Sequence, residues 1–402
     1  MQIFLVGGAV RDQMLGRSVK DHDYLVVGST EAEVIARLGG QRIGKAFPVI
    51  LVPGMGEVAL ARRETKTGTG HSSFAVDFGP EVTLEQDLSR RDLTINAMAL
   101  SEDKHLIDPF GGMRDIESRM LRHVGPAFVE DPLRIYRLAR FASELGFTIA
   151  DETMDMCRTV SEDEIAALSI ERVRSEFLRA IAAPFPARFV SALRSMGHLG
   201  IHFPEIDALA SVPAGPENHH GEGDALTHTL MVLIQAAALS GDVNIRLAAL
   251  LHDLGKALTK PSLLPKHHGH EDAGIVPIKA LCDRLKLSKQ VRNACSLASA
   301  EHLNVHRFAA LRHTRKVDII VAADKTVLMS EGLAMVARAD ARGRIPAGSE
   351  QGPDLLCALA PVVRNAETGP IPEALQGKHI GLHIRARRAG AIQRYLKEKE
   401  VM

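Results

Sequence analysis

The hydrophobic periodicity of this chain changes once, shortly after residue 121, and that change limits what it can fold into. Up to there, short β-rich runs alternate with glycine-rich turns: IFLVG (3–7), DYLVVG (23–28), PVILVPG (48–54), EVALAR (57–62) and HLIDPFGG (105–112). Such runs predict strands, and helical patterns sit between them at 8–16 and 30–38. From Asp131 on, strand signals vanish. DPLRIYRLARFASELG puts Pro132 in a first-turn position and ends at Gly146, as a capped helix does. SIERVRSEFLRAIAA (169–183) is the next clear helix. The Pro/Gly/His-rich SVPAGPENHHGEGDA (211–225) reads as a linker. Helical periodicity resumes with LTHTLMVLIQAAALSG (226–241) and runs to about Ala347, and a tail closes on the basic HIRARRAGAIQRYLKEKE (383–400). The expected fold is α+β: a head with a small mixed sheet (1–122), an all-α neck (123–210), the linker, a helical domain (226–347) and a helical tail (348–402).

A chain of 402 residues exceeds one ordinary core. Its 49 basic and 49 acidic side chains cancel, so no overall basic excess announces nucleic acid. Clustered Lys and Arg remain able to hold phosphate. Cys157, Cys282, Cys295 and Cys357 show neither metal-type spacing nor a paired framework, and read as reduced thiols of a cytoplasmic protein. The apolar run in MQIFLVGGAVRD is too short for a signal peptide, and no stretch approaches the roughly 20 apolar residues of a membrane helix.

Within the head, SVKDHDYLVV places Asp21 and Asp23 one residue apart before an apolar run. On a strand those side chains share a face, and two carboxylates so close repel unless a cation lies between them. Just upstream, VGGAVRD (6–12) carries a strand into Gly7-Gly8 and then a helix, where backbone N–H groups approach a phosphate. Arg11 stands on the first turn of that helix, placed to fork the same phosphate. Paired carboxylates beside a phosphate cradle are what two-metal phosphoryl or nucleotidyl transfer requires.

GGAVRD…KDHDYLV resembles the signature of the class II tRNA nucleotidyltransferase and poly(A) polymerase superfamily, and further pieces follow in that family's order. RRDLTINAMAL (90–100) resembles its second motif, which implies that Arg91, Asp92 and Asn96 bind the ribose and triphosphate of an incoming nucleotide. IDPFGGMRDIESRMLRHV (107–124) resembles the connector to the neck, EDPLRIYRLARFA (130–142) the nucleotide-selecting motif, and SIERVRSEF (169–177) the helix that buttresses it. Asp131, Arg134 and Arg137 recur every three residues along one helical face, and Arg140 drifts further round. An Asp acceptor beside an Arg fork can imitate the Watson–Crick edge of a base, and the resemblance implies that role for Asp131 and Arg134. The Gly/Ser/Thr-rich RETKTGTGHSSFAVDFGP (63–80) is expected to be a mobile loop that, in the family, helps the switch from adding C to adding A.

In the helical region, LLHDLGK (250–256) sets His252 beside Asp253, the dyad after which HD phosphohydrolases are named. His228, His270 and His302 follow at helix-scale intervals, and Asp324 is expected to close the set, with Asp340 as its rival. Imidazoles with carboxylates suit Ni, Mn, Fe, Co or Mg better than a thiolate-type zinc site. The whole sequence most resembles bacterial CCA-adding enzymes that carry an additional HD domain. That resemblance implies addition of C, C and A to a tRNA 3′ end from CTP and ATP with Mg²⁺. In the HD region it implies phosphatase, 2′-nucleotidase and 2′,3′-cyclic phosphodiesterase activity with a divalent transition metal such as Ni²⁺. Gly8, Arg11, Arg91, Asp92, Asn96, Asp131, Arg134, Arg137 and Arg140 are the expected nucleotide-binding set. A helical HD region also offers a surface for a homodimer. The competing readings are a poly(A) polymerase with the same head, an HD phosphohydrolase with a nucleotide-sensing head, and a tRNA-binding chaperone.

Overall fold

The computed structural model describes residues 1–19, 21–43, 49–66, 74–366, 371–372 and 375–401. Its chain divides into two compact units: Met1–Ser169 with Ser195–His198, and Ile170–Arg194 with Leu199–Met402.

The first unit contains strands β1 (Gln2–Val6), β2 (Asp23–Val27), β3 (Gln41–Ile43), β4 (Val49–Val52), β5 (Gly56–Leu60), β6 (Arg62–Lys66), β7 (Phe74–Phe78), β8 (Ala99–Ser101) and β9 (Leu106–Ile107); β3, β7 and β8 lie outside the apolar runs expected as strands, and β6 shares only Arg62 with them. Seven of them form one mixed sheet in the order β3-β4-β5-β2-β1-β8-β9. β2 pairs parallel with β5 and antiparallel with β1. The alternation of side chains along β2 sorts two cores. Leu25 packs with Phe4, Val6, Ala97 and Ala99, whereas Val26 packs with Val34, Ile50 and Val58 on the opposite face. Each fully buried aliphatic side chain contributes roughly 1.5–3 kcal/mol, so both faces are held.

Helices α1 (Gly8–Met14), α2 (Glu31–Leu38), α3 (Leu84–Ser89), α4 (Gly112–Glu117) and α5 (Leu133–Leu145) complete what matters for the site. Thr30 and Glu33 cap α2 reciprocally, and Thr83 and Gln86 do the same for α3. The segment expected as a mobile loop carries ladder hydrogen bonding at both ends, because β6 and β7 pair antiparallel from Arg62↔Phe78 to Lys66↔Phe74. Residues 67–73, between them, lie outside the described set, as does Lys20. Helix α5 ends as its sequence predicts, on Gly146 in the left-handed conformation.

The second unit is helical. Helices Ala225–Leu239, Val243–Leu251, Lys289–His306 and Met329–Arg342 pack on one another. Small residues at their contacts, Ala236, Ala249 and Ala339 beside Val232, let the axes approach closely. Arg246 ties helix Ile170–Ala182 to this bundle by donating to Ile181 O and Ala183 O, both at 2.9 Å. The tail helix Lys378–Val401 packs on His313–Ala323 and Gln351–Arg364. Among the described residues no helix is long and apolar enough to cross a membrane. All four cysteines are free thiols.

Candidate functional sites

The first cluster forms where β1 runs into α1. Gly7 adopts φ +69°, and a Cβ there would stand 2.7 Å from Arg91 Nη1, so the turn needs glycine both for its conformation and for the approach of that guanidinium. From the first turn of α1, Arg11 donates to Asn96 Oδ1 at 2.7 Å and lies over the Phe141 ring at 5.2 Å. Asn96 Nδ2 donates to Asp92 Oδ1 at 2.9 Å, and Arg137 Nε donates to Asp92 Oδ2 at 2.9 Å. Burial alone would push the Asp92 carboxyl up, but Arg137 and the Asn96 amide outweigh it and hold it down at about 2. Buried Asp87 accepts from Arg90 and Arg91 and holds both arginines in place. The guanidinium groups of Arg91 and Arg11 thus stand at Gly7 and Gly8, with Arg137 joined to them through Asp92 and Asn96, a ready environment for phosphates.

The two aspartates lie at the start of β2, in the middle of the sheet, next to that turn. Asp23 opens β2 directly opposite Val6, the residue before Gly7, and Asp21 precedes the strand by two positions. Both are exposed, and neither carboxylate makes a hydrogen bond or ion pair to another described residue. Carboxylates with no ion pair among the described residues, beside a cluster of arginines, suit a hydrated divalent cation. Sequence reasoning missed Glu57. It is exposed and in register with Asp23 on the neighbouring strand β5, so it adds a carboxylate on the same face. Its one signal was an acidic residue opening the apolar run EVALAR.

The selecting motif is distributed less evenly than its spacing suggests. Asp131 Oδ1 accepts from the Leu133 N–H at 3.2 Å and so caps α5. Arg134 donates to two backbone carbonyls, Arg90 O at 2.7 Å and Ala127 O at 3.0 Å. Arg137 reaches the phosphate-side cluster through Asp92. Arg140 is 1 % exposed, pairs with Glu144 at 2.6 Å and stacks on Phe141 at 4.0 Å, on the interior side of the helix.

The second cluster belongs to the helical unit. His228, His252, Asp253, His270 and His302 come together from four separate segments, all of them buried. Asp253 divides its two oxygens: Oδ2 lies 3.2 Å from His252 Nε2 and 3.4 Å from His228 Nε2, and Oδ1 lies 3.1 Å from His270 Nε2 and 3.6 Å from His302 Nε2. The expected closing carboxylate, Asp324, is elsewhere. Arg364 grips both of its oxygens at 2.7 Å, and Ser330 Oγ donates to it at 2.7 Å. Asp340 takes the place instead, with Oδ1 3.1 Å from His228 Nε2. Arg344 and His306 hold the far side of Asp340, each at 2.6 Å from Oδ2.

The tautomers follow from the hydrogen bonds. His252, His270 and His302 each point Nδ1 at a main-chain carbonyl three residues earlier, at 2.7, 2.6 and 2.7 Å. In the neutral ring Nδ1 then carries the proton, and Nε2 presents a lone pair. These lone pairs face carboxylate oxygens, and His270 Nε2 faces His302 Nε2 at 3.3 Å. His252 Nε2 and Asp253 Oδ1 have no hydrogen-bond partner. Electron pairs aimed at electron pairs in a buried space are relieved by a cation, so the donor set fits a divalent metal. Burial pushes His302 down to about 3 and keeps it neutral. Burial opposes ionisation of Asp253 and Asp340 as well. Lys256 beside Asp253, and Arg344 with His306 beside Asp340, nonetheless hold both carboxyls well below the usual range.

A cavity of about 340 Å³ opens onto this cluster, lined among others by Asp253, Lys256, His270, His302, Lys266 and Arg307. Lys256 bridges Asp253 Oδ2 at 2.8 Å and Ala214 O at 2.7 Å. Gly255 lets the segment bearing His270 approach, since a methyl group there would collide with the His270 carbonyl oxygen.

Three family models match in succession: "Poly A polymerase head domain" over residues 3–122, "Probable RNA and SrmB- binding site of polymerase A" over 146–209, and "HD domain" over 225–329. The last match stops short of Asp340. The chain is 44 % identical over 403 residues to the multifunctional CCA protein of Vibrio cholerae serotype O1 (strain M66-2), covering 98 % of this chain and all of that one. It is 46 % identical over 410 residues to the multifunctional CCA protein of Methylococcus capsulatus, covering 98 % and 95 %. Among solved structures, the Thermotoga maritima CCA-adding enzyme complexed with tRNA shares the fold with a TM-score of 0.62 at 18 % identity, over 99 % of this chain and 91 % of that one. A CCA-adding enzyme in complex with CTP gives a TM-score of 0.62 at 19 % identity, over 97 % and 87 %. An α+β head followed by helices, and near-full-length identity at this level, place the chain in the multifunctional CCA protein family.

Proposed function

We propose that this chain is a tRNA nucleotidyltransferase that adds C, C and A to a tRNA 3′ end from CTP and ATP, and that its helical unit hydrolyses phosphoesters. The observation that carries the reading is the near-full-length identity to multifunctional CCA proteins. In the transfer, the terminal ribose oxygen bonds to the α-phosphorus, the bond from that phosphorus to the β-bridging oxygen breaks, and pyrophosphate leaves. Asp21 and Asp23 would hold Mg²⁺, which supplies charge neutralisation to the transferring phosphoryl group. Arg11 and Arg91 grip the triphosphate beside the Gly7-Gly8 turn, while Asn96 and Arg137 keep Asp92 ionised and fixed behind them. Base choice falls to Asp131 and Arg134. Both side chains already have work, Asp131 as a cap and Arg134 on two carbonyls, so reading C and then A requires those bonds to exchange.

In the helical unit, His228, His252, Asp253, His270, His302 and Asp340 would hold a divalent transition metal such as Ni²⁺, which supplies Lewis-acid chemistry against a phosphoester. Lys256 and Arg344 place positive charge beside the cluster, and Lys266 and Arg307 carry it to the mouth of the cavity. That arrangement suits phosphatase, 2′-nucleotidase and 2′,3′-cyclic phosphodiesterase substrates. The test is incubation of a tRNA transcript lacking CCA with Mg²⁺ and labelled CTP and ATP, alone and together. Incorporation of two C and one A is expected, and open-ended A addition from ATP alone would support a poly(A) polymerase instead.

A further inference from the structure

His228 differs from the other imidazoles of the helical cluster. His252, His270 and His302 take their orientation from main-chain carbonyls, but His228 Nδ1 lies 2.9 Å from a carboxylate oxygen, Glu222 Oε1. Neither side chain has any exposed area. Glu222 belongs to the segment 211–225, whose composition reads as an inert linker. In the structure that segment is built into the wall of the site. Ala214 O accepts from Lys256 Nζ at 2.7 Å, His267 Nε2 lies 2.8 Å from Pro213 O, and Pro213 pairs with Asp224 across a β-bridge. Glu222 itself is fixed from two further sides. Its Oε1 accepts from His220 Nδ1 at 2.7 Å, and its Oε2 accepts from the Ile345 backbone N–H at 3.0 Å.

We propose that Glu222 is the positioning carboxylate of His228: it accepts a hydrogen bond from Nδ1–H and turns the Nε2 lone pair toward Asp253 and Asp340, where a divalent cation would be held. The inference rests on the reading of the helical cluster as a metal site. Both ring nitrogens of His228 are buried without a well-aligned hydrogen bond. A small rotation of the ring aligns Nδ1–H with Glu222 and Nε2 with the cation, and satisfies both at once. Carboxylates that hold a ligating histidine in this way fix its tautomer and raise its basicity, and their loss lowers metal affinity by about 10–100-fold. Glu222 touches no substrate in this account; it acts through His228.

The experiment uses full-length protein and Ni²⁺ alone, with affinity read by competition against a chelator for wild type, Glu222→Gln, Glu222→Ala and His252→Ala. Melting of each metal-free protein is followed in parallel. Wild type is expected to bind and His252→Ala to lose binding. Glu222→Ala should bind about 10–100-fold more weakly, and Glu222→Gln, which keeps an acceptor oxygen and nearly the same shape, should fall between. If wild type binds, His252→Ala does not, and Glu222→Ala stays within about twofold of wild type, the positioning role is overturned while the metal site stands. A lower melting temperature without loss of affinity would likewise overturn it, by making Glu222 a structural residue. If wild type and His252→Ala are equally unable to bind, the metal reading fails and the inference goes with it.

Discussion

Asp92 joins the two halves of the first cluster: one oxygen accepts from Asn96 and from the Leu93 N–H, and the other faces both Nε and Nη2 of Arg137. With its carboxyl held at about 2 against an ordinary 3.8, its ionised form stabilises the first unit. That contribution, about 2 kcal/mol, is complete above the unfolded value and is lost as the pH falls through 2. Carboxyl-carbon NMR should find Asp92 titrating near 2; a midpoint at or above the ordinary value would show that Arg137 does not pair with it. Asp340 and Asp324 show where residue-level reading of the sequence stops. Both stand in helical pattern at workable distances from the HD dyad, and nothing local tells them apart. Arg364, forty positions beyond Asp324, decides the matter by occupying its carboxylate. Asp340→Asn is therefore expected to lower Ni²⁺ affinity at least tenfold, on the scale of about 10–100-fold for groups around a metal, while Asp324→Asn leaves it near wild type. Equal losses from the two would contradict the assignment. Glu222 was equally hidden, because composition alone marks its segment as a linker.

At the scale of elements, helix α5 was legible from Pro132 to Gly146 because its start and stop signals are local. Strands β1, β2, β4, β5 and β9 were legible as apolar runs bounded by turn residues, whereas β3 and β6 were not, since QRI and RRETK hold too few apolar residues to signal a strand, and β7 lies in the segment expected as a mobile loop. Their order was not, because pairing β2 parallel to β5 depends on contacts across the sheet rather than on anything within either run. The turn after the HD dyad is an element whose demand comes from elsewhere: Gly255 must lack a side chain because the segment carrying His270 lies against it. Gly255→Ala forces those backbones apart. It is expected to destabilise the helical unit by about 1–3 kcal/mol, the range for overpacking a close contact, and to weaken metal binding together with stability. A denaturation series with parallel metal titration checks both, and unchanged affinity would mean that His270 does not depend on this approach.

For the whole molecule, the change in periodicity after residue 121 was sufficient to read the α+β class, although helices also sit among the head's strands and the short strand Thr148–Ile149, too brief to signal itself, pairs with Met120–Leu121 beyond the change. The two clusters lie in different compact units and rely on different chemistry. One gathers exposed carboxylates beside arginines; the other buries imidazoles whose lone pairs face carboxylates. Saturating Ni²⁺ at about a hundred times its Kd should stabilise the chain by about 2.7 kcal/mol through the second cluster. Thermal melts with and without the ion should show that gain in wild type and not in His252→Ala. The most direct test of the central claim is one assay of both chemistries on three proteins: wild type, the double variant Asp21→Ala/Asp23→Ala, and His252→Ala. Each receives CCA-lacking tRNA with CTP, ATP and Mg²⁺ and, separately, a 2′,3′-cyclic nucleotide with Ni²⁺. The aspartate variant should lose C, C and A addition and keep hydrolysis, while His252→Ala should do the reverse. Retained addition in the aspartate variant, or loss of both activities from either substitution, would contradict that claim.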